Sequence, residues 1–178
     1  MKYALAFLIL SAIATPSGRA SQSPQASNND WSQWQFLIGD WVGEGGGQPG
    51  QASSGGTTLS FDLEGRVLMR RNFSNYPATK DKPAISHRDL MVIYRDLESK
   101  SFRAMYWDNE GHVINYTAAF SSDGSVLTLI SPPSDASPRF RLIYRKQEGD
   151  RVGVEFDIAP PGKPDSFSKY AGGFIHKR

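Results

Sequence analysis

Short runs of aromatic and β-branched residues, each bounded by turn residues, follow one another along most of the chain. Such runs predict β-strands. They cover residues 57–63, 66–73, 87–95, 102–107, 112–120, 126–131, 139–146, 151–158 and 167–176. With one more strand after Trp41, the pattern predicts about ten strands.

The connections between these runs are short, which favours antiparallel neighbours in up-and-down order. Ten strongly twisted strands close into a barrel more readily than they stay one open sheet. The pattern therefore predicts an all-β fold, a single up-and-down antiparallel β-barrel of about ten strands. A sandwich of two sheets is the alternative. Helical spacing in WSQWQFLI, residues 31–38, adds a short N-terminal helical turn.

Individual strands differ in whether one or both of their faces are apolar. In residues 139–146, Phe140, Leu142 and Tyr144 lie on one face and the arginines on the other, interrupted by Ile143, which indicates one apolar face and one solvent-exposed face. By contrast, DLMVIY at residues 89–94 is apolar on both sides. That strand is expected to contact a second layer.

The N-terminus has the pattern of a secretory signal. Met1 and Lys2 precede an apolar run from Ala4 to Ala14, and small residues follow. We therefore expect a signal peptide at residues 1–20, a flexible leader at 21–30 and a barrel domain at 31–178. The mature protein is expected to be exported, either periplasmic or secreted.

Composition and charge narrow the classes of function. The chain has no cysteine, which excludes disulfides, thiolate metal sites, cysteine nucleophiles and lipoprotein attachment. The net charge of +2 comes from 20 basic and 18 acidic residues, and removing Lys2 and Arg19 with the signal leaves 18 of each. Near neutrality argues against nucleic acid or an anionic membrane as partner. We expect no membrane insertion after signal cleavage.

Catalytic and metal-binding patterns are absent from the sequence. The three histidines, His87, His112 and His176, have no metal-ligand spacing, so no metal site is predicted. Glu155 and Asp157 share a strand face, but nothing else orients them for acid–base chemistry. We assign no catalytic residue and expect a binding protein rather than an enzyme.

The densest polar and aromatic cluster is AMYWDNEGHVINY, residues 104–116. Tyr106 ends one strand, and the period of two places His112 and Tyr116 on one face of the next. Phenolic and imidazole groups beside apolar neighbours are typical of a small-molecule pocket. The alternative is an ordinary turn in which Asp108 and Asn109 bond to the backbone.

A second candidate is LMRRNF, residues 68–73, in which one of two adjacent arginines must point with the apolar side chains. A buried arginine needs an acidic partner such as Glu155, or an anionic ligand group. A solvated face or a structural ion pair is the alternative. The predicted ligand-binding set is Arg71, Tyr94, Tyr106, His112 and Tyr116.

The stretch FLIGDWVGEG contains a Gly-x-Trp step at Gly39 and Trp41. It resembles the signature of the lipocalin and calycin superfamily, in which the tryptophan closes one barrel end under a late Arg or Lys. Arg145 or Arg178 is the expected cation. The longer run, which adds Gly43 and Gly45, is similar to nitrobindin-like and DUF1579-type bacterial β-barrel domains. Gly39, Trp41 and Gly43 form the predicted structural kernel.

This resemblance, with the polar cluster, implies an exported barrel that binds a small apolar or amphipathic molecule without a cofactor. One alternative is a nitrobindin-like haem protein with redox or peroxynitrite isomerase chemistry, in which His176 would be the haem ligand. Another is a barrel filled by its own side chains that acts as a structural or interaction module in the cell envelope.

Overall fold

The computed structural model describes residues 30–44 and 54–178. A 3-10 helix at Ser32–Leu37, the N-terminal turn, precedes the first strand, and a second short 3-10 turn lies at Leu63–Gly65. The strands are β1 (Gly39–Glu44), β2 (Ser54–Asp62), β3 (Val67–Tyr76), β4 (Ile85–Arg95), β5 (Phe102–Asp108), β6 (Val113–Phe120), β7 (Val126–Ile130), β8 (Arg139–Lys146), β9 (Arg151–Ala159) and β10 (Ser168–Lys177).

Each strand pairs in antiparallel fashion with its neighbours along the chain, and β10 pairs with β1 to close the barrel. The predicted up-and-down barrel with a short N-terminal helical turn is therefore confirmed, and the alternative of two packed sheets is wrong. Closure leaves no free edge among the ten described strands, so none of them can pair with another chain through an open edge.

Strand bounds differ from the sequence prediction in the glycine-rich region. β2 begins at Ser54 rather than residue 57, because Ser54–Gly56 continue the ladder opposite Phe73–Asn75 of β3. The predicted strand start at His112 is also wrong, since β6 begins at Val113.

The predicted signal peptide and leader, up to residue 29, lie outside the described residues. No helix within the described residues is long and apolar enough to cross a membrane.

The N-terminal turn closes one end of the barrel. Trp34 and Leu37 are 0% exposed, which makes them part of the core. The Trp34 ring makes edge contacts with Phe102 and Phe120 at centroid distances of 5.2 Å each. Trp31 Nε1 donates to the carbonyl of Gly65 at 2.8 Å, which ties the turn to the β2–β3 connection. This end, the closed end, is filled with side chains.

Trp41 occupies the position that the kernel predicted for it. Its side chain is buried, and its Nε1 donates to the carbonyl of Leu37 at 2.8 Å. The cation above its ring is Lys177, whose Nζ lies 5.6 Å from the centroid. The prediction of Arg145 or Arg178 is wrong, because the register places Lys177 opposite Trp41 while Arg145 alternates to the outer face, near Glu155.

Gly39 is required by its backbone conformation. Its φ is +124°, a value that residues with a side chain rarely adopt, and an added Cβ would lie 3.1 Å from Cε of Lys177. We expect Gly39→Ala to lower the free energy of unfolding by about 1–3 kcal/mol, as measured by denaturant titration.

Gly43→Ala is the matched control, because a Cβ there meets Gly55 only at an ordinary 3.5 Å. Equal losses in the two variants would contradict the conformational role of Gly39.

Candidate functional site

The two ends of the barrel interior have different chemistry. The end opposite the closed end, the mouth, carries the β3–β4, β5–β6, β7–β8 and β9–β10 connections. Polar side chains line its wall on β3–β5 and apolar side chains line it on β8 and β9. The polar residues are Asn72, His87, Asp89, Tyr106 and Asp108; the apolar residues are Phe140, Val154 and Phe156.

Arg70 and Asp89 form a buried ion pair at the base of the polar side. Nη1 of Arg70 lies 3.1 Å from Oδ1 of Asp89, and the two residues are only 8% and 9% exposed. Asn72 donates to Oδ2 of the same carboxylate at 2.8 Å. Burial alone would raise the pKa of Asp89, but the charge of Arg70 and the hydrogen bonds from His87 and Asn72 outweigh it, so the pKa is lowered.

Three tyrosines lie around the Arg70 guanidinium. Tyr106, Tyr116 and Tyr144 all interact with its charge, and burial raises the pKa of each phenol above its ordinary value. They therefore remain neutral hydroxyls that can donate hydrogen bonds. Among the described residues, the Tyr144 hydroxyl and Nε of Arg70 have no hydrogen-bond partner. Two buried donors thus remain available beside the ion pair.

His87 connects the ion pair to the rim of the mouth. Its Nε2 lies 3.3 Å from Oδ2 of Asp89 and its Nδ1 lies 2.8 Å from Oε1 of Glu110. The hydrogen bond with Asp89, opposed by burial and reinforced by Glu110, raises the pKa of His87 to about 9. At neutral pH the imidazole is therefore protonated, and both nitrogens donate.

This raised pKa predicts a pH dependence of stability. Because the folded pKa lies above that of a free histidine, the stabilisation is complete below pH about 6.5 and is lost as pH rises through about 9. We expect the free energy of unfolding to fall by roughly 1–2 kcal/mol over this interval, less than the full shift implies because the ring is partly exposed. Denaturant titrations across that range measure it.

His87→Gln should flatten the profile between pH 6.5 and 9, because it removes the proton that is released there. A variant that keeps the wild-type slope would show that another group causes the dependence.

The turn between β5 and β6 joins the polar wall to solvent. The Tyr106 hydroxyl donates to Oδ2 of Asp108 at 3.1 Å, and Nδ1 of His112 lies 2.8 Å from the same oxygen. Asp108 Oδ1 also accepts from the backbone N–H groups of Glu110 and His112. Asp108 therefore orders the turn, as one interpretation predicted, and Tyr106 lines the interior, while ligand binding by this cluster stays a prediction.

The apolar side of the mouth consists of half-buried aromatic and aliphatic side chains. Phe140 and Phe156 stack nearly parallel, with centroids 6.0 Å apart and planes 7° apart. Tyr170 contacts the edge of this pair at 6.1 Å from Phe156. Val154 packs beside them against the core. These side chains are less completely buried than those at the closed end, so they offer apolar surface at the mouth.

The structure brings together some of the predicted site residues and separates others. Tyr106 and Tyr116 face the interior, and His112 lies on the turn at the mouth with an exposed side chain. Arg71 and Tyr94 point to the outer surface, so their assignment to the inner wall is wrong. The ligand contacts of the other three residues stay a prediction.

Arg71 points outward because alternate residues of β3 face opposite sides of the barrel wall, and Arg70 is the one that faces inward. Arg70 pairs with Leu59 and Met91, both in the core, and Arg71 pairs with outward Thr58 and Leu90. The suggested partner Glu155 is also wrong, since Asp89 pairs with Arg70 and Glu155 lies outside. The sequence analysis missed Asp89. The signal was present, because Asp89 lies two residues before Met91 and four before Ile93 and therefore shares their face of the strand.

The residues do not fit a haem in the interior. His176 lies on the outer face of β10, with Nδ1 3.6 Å from Oε1 of Glu44. His87 is protonated and engaged at both nitrogens, whereas an iron ligand must be a neutral imidazole. Within the described ranges, no three His, Asp or Glu side chains converge to hold a metal ion.

No known family model matches this chain, and the search of curated proteins gives no match. The closed ten-stranded antiparallel barrel, with a tryptophan under an N-terminal turn, fits the calycin- or lipocalin-like fold. The class that the structure defines is the all-β closed antiparallel barrel.

Proposed function

We propose that this protein is a binding module that holds a small apolar or amphipathic molecule at the mouth of the barrel. The observation that carries the proposal is the division of the mouth into a polar and an apolar side. Ligand sites commonly combine apolar walls with a few placed polar groups, and barrel mouths are frequent locations for them. A barrel fold by itself would not support this function.

The polar end of the ligand is expected to meet the groups around Arg70. Nε of Arg70 and the hydroxyl of Tyr144 are donors without a protein partner in the described part of the chain. A ligand oxygen would accept from them, which would offset the cost of leaving buried donors unpaired. Because Asp89 already balances the charge of Arg70, a neutral carbonyl or hydroxyl suits this environment as well as a carboxylate.

The apolar end of the ligand is expected to lie against Phe140, Val154 and Phe156. Burying such surface contributes about 25 cal/mol per Å². A chain or ring placed there would bring its polar end toward Tyr106 across the mouth. An amphipathic shape therefore matches both walls at once.

Titration with a dansyl-labelled fatty acid tests the proposal, since its fluorescence rises in an apolar site. We expect saturable binding with one probe per chain. Tyr144→Phe should weaken it several-fold, because it removes a hydroxyl that has no partner among the described residues and would donate a hydrogen bond of about 1 kcal/mol to the ligand. Tyr94→Phe is the matched control, an outer tyrosine that loses the same hydroxyl and should bind as wild type.

Absence of saturable binding would overturn the proposal and favour a filled barrel that acts through its surface. Equal weakening in Tyr144→Phe and Tyr94→Phe would place the probe elsewhere. Addition of haem should give no histidine-ligated Soret band, in keeping with the positions of the three histidines.

We also propose that the protein acts outside the cytoplasm, on the basis of the signal pattern in residues 1–20. Expression of the full chain in a bacterial host followed by N-terminal sequencing of the exported form tests this. A mature N-terminus between residues 15 and 21 is expected, and an uncleaved cytoplasmic protein would contradict export.

A further inference from the structure

The barrel wall carries a second concave region, whose outward-facing residues are not residues of the mouth. A recess of about 300 Å³ lies across β1 to β4. Four of its lining residues, Trp41, Thr57, Asn72 and Asp89, direct their side chains into the barrel, and Gly56 has none. The side chains that face the recess from outside are those of Asp40, Thr58, Arg71, Phe73, Arg88 and Arg178.

Strand register places these outer residues next to one another. Thr58 lies opposite Asp40 on one side and Arg71 on the other, while Phe73 lies opposite Arg88. Directly opposed side chains on one face are close enough to interact, and diagonal ones are within reach of long side chains. The backbone N–H of Arg178 donates to the carbonyl of Asp40 at 2.9 Å, which brings the third arginine to the same recess.

The floor of the recess depends on a glycine. A Cβ at Gly56 would lie 2.8 Å from the Trp41 carbonyl oxygen and 3.1 Å from Cε1 of Phe73. Only glycine therefore allows the Phe73 ring to lie against the strand backbone here. The result is an aromatic surface beside the arginines rather than a plain polar strand face.

The three arginines have no acidic partner, in contrast to other arginines of the barrel. Arg141 is paired with Asp157 and Arg151 with Glu44, each at less than 3 Å. Among the described residues, the guanidinium groups of the three arginines in the recess form no ion pair. The undescribed ranges, 1–29 and 45–53, contain no Asp or Glu, so no side-chain carboxylate there could pair with them.

Two aspartates line the recess. Asp89 points into the barrel and pairs with Arg70, and Asp40, on the outer side, is engaged by a neighbour. The Thr58 hydroxyl donates to its Oδ1 at 2.6 Å. Three guanidinium groups thus face one carboxylate side chain. Guanidinium groups are planar donors that match phosphate oxygens in pairs, and several of them around one concavity are typical of phosphate recognition.

We propose that this recess binds a phosphate group, carried either by a small soluble molecule or by a lipid headgroup. Arg71, Arg88 and Arg178 would donate to the phosphate oxygens, and the Phe73 ring would contact the organic part. The volume of about 300 Å³ is at the lower end of ligand pockets, which fits a compact phosphate ester. The three arginines and Phe73, which would contact the ligand, are not residues of the mouth.

Calorimetric titration of the full chain with inorganic pyrophosphate at constant ionic strength tests the proposal. We expect saturable binding with one site per chain. Arg71→Gln combined with Arg88→Gln should weaken it at least tenfold. Arg103→Gln combined with Arg145→Gln removes the same charge from outer strand positions beyond the recess and should leave the affinity within about twofold.

A second arm distinguishes the two sources of phosphate. Flotation with phosphatidylcholine vesicles, with and without phosphatidylglycerol, should show recess-dependent binding to the anionic vesicles if the ligand is a headgroup. If pyrophosphate alone binds through the recess, the ligand is soluble. Absence of saturable binding in both arms, or equal loss in the two double variants, would overturn the proposal.

Discussion

Trp34→Ala is expected to lower the free energy of unfolding by about 3–5 kcal/mol, a large part of the stability of a domain of this size. The side chain is 0% exposed and links the N-terminal turn to Phe102 and Phe120. Its removal would leave a cavity that the closed end cannot fill without moving the turn. Denaturant titration followed by far-UV circular dichroism measures the loss.

Two control variants separate the cavity from other effects. Trp34→Phe keeps an aromatic ring in contact with its neighbours and removes a buried N–H that has no partner among the described residues, so it should cost much less. Trp107→Ala removes a tryptophan from the outer face of β5, and its cost should also be much smaller. If Trp107→Ala costs as much as Trp34→Ala, the closed end is not the main packed region.

Asp89→Ala is expected to cost about 3–5 kcal/mol, because it leaves the Arg70 guanidinium buried without its counter-charge. Replacing both partners, as in Arg70→Met with Asp89→Leu, should cost less than the single change, since apolar side chains can fill the same space. Chemical denaturation of the two single variants and the double variant measures the coupling between them. Additive losses would contradict a direct buried pair.

Arg71→Met serves as the control for this pair. Arg71 is the sequence neighbour of Arg70 but lies exposed on the outer face, so its replacement should change the free energy of unfolding by no more than about 0.5 kcal/mol. Comparing the losses of unfolding free energy in Arg70→Met and Arg71→Met therefore shows which of the two adjacent arginines faces the interior. A larger effect in Arg71→Met than in Arg70→Met would reverse the assignment of the two faces.

The barrel topology and its closed end can both be predicted from the sequence. Ten closely spaced strand patterns were sufficient to predict the barrel, because short connections leave few other topologies for so many strands. The Gly39–Trp41 step also located the closed end correctly. Both features are local in sequence, so pattern and turn chemistry reveal them.

The residues of the site are harder to predict from the sequence, because they depend on which face of each strand points into the barrel. In residues 67–73, apolar residues occur on both faces, and Leu68 and Met69 give no preference for either arginine. A register difference of one residue inverts the whole strand, so the sequence alone does not distinguish Arg70 from Arg71 as the inward residue. Asp89 lies between an arginine and a leucine, and only the three-dimensional pairing identifies its partner.

The cation above Trp41 illustrates the same dependence on register. Lys177 and Arg178 are adjacent and both basic, and the sequence does not indicate which one faces inward. The pairing of β10 with β1 decides it, since Trp41 lies opposite Lys177. Long-range register of this kind is set by closure of the whole barrel rather than by either strand.

The packed closed end and the polar mouth have separate roles in this account. Full burial around Trp34 and Leu37 stabilises the barrel, while the mouth keeps half-buried aromatic rings and, beside the ion pair, two donors without a partner among the described residues. Changes at the closed end should therefore alter stability more than binding. Removing the Tyr144 hydroxyl, as in Tyr144→Phe, should alter binding more than stability.

The most direct measurement is the position of the dansyl fatty acid in its complex with the full chain, from intermolecular nuclear Overhauser effects. If the probe binds at the mouth, we expect contacts to the rings of Phe140, Phe156 and Tyr106 on the inner wall, and none to Tyr94 outside. Contacts confined to outer-surface residues, or none in a saturated sample, would contradict binding at the mouth.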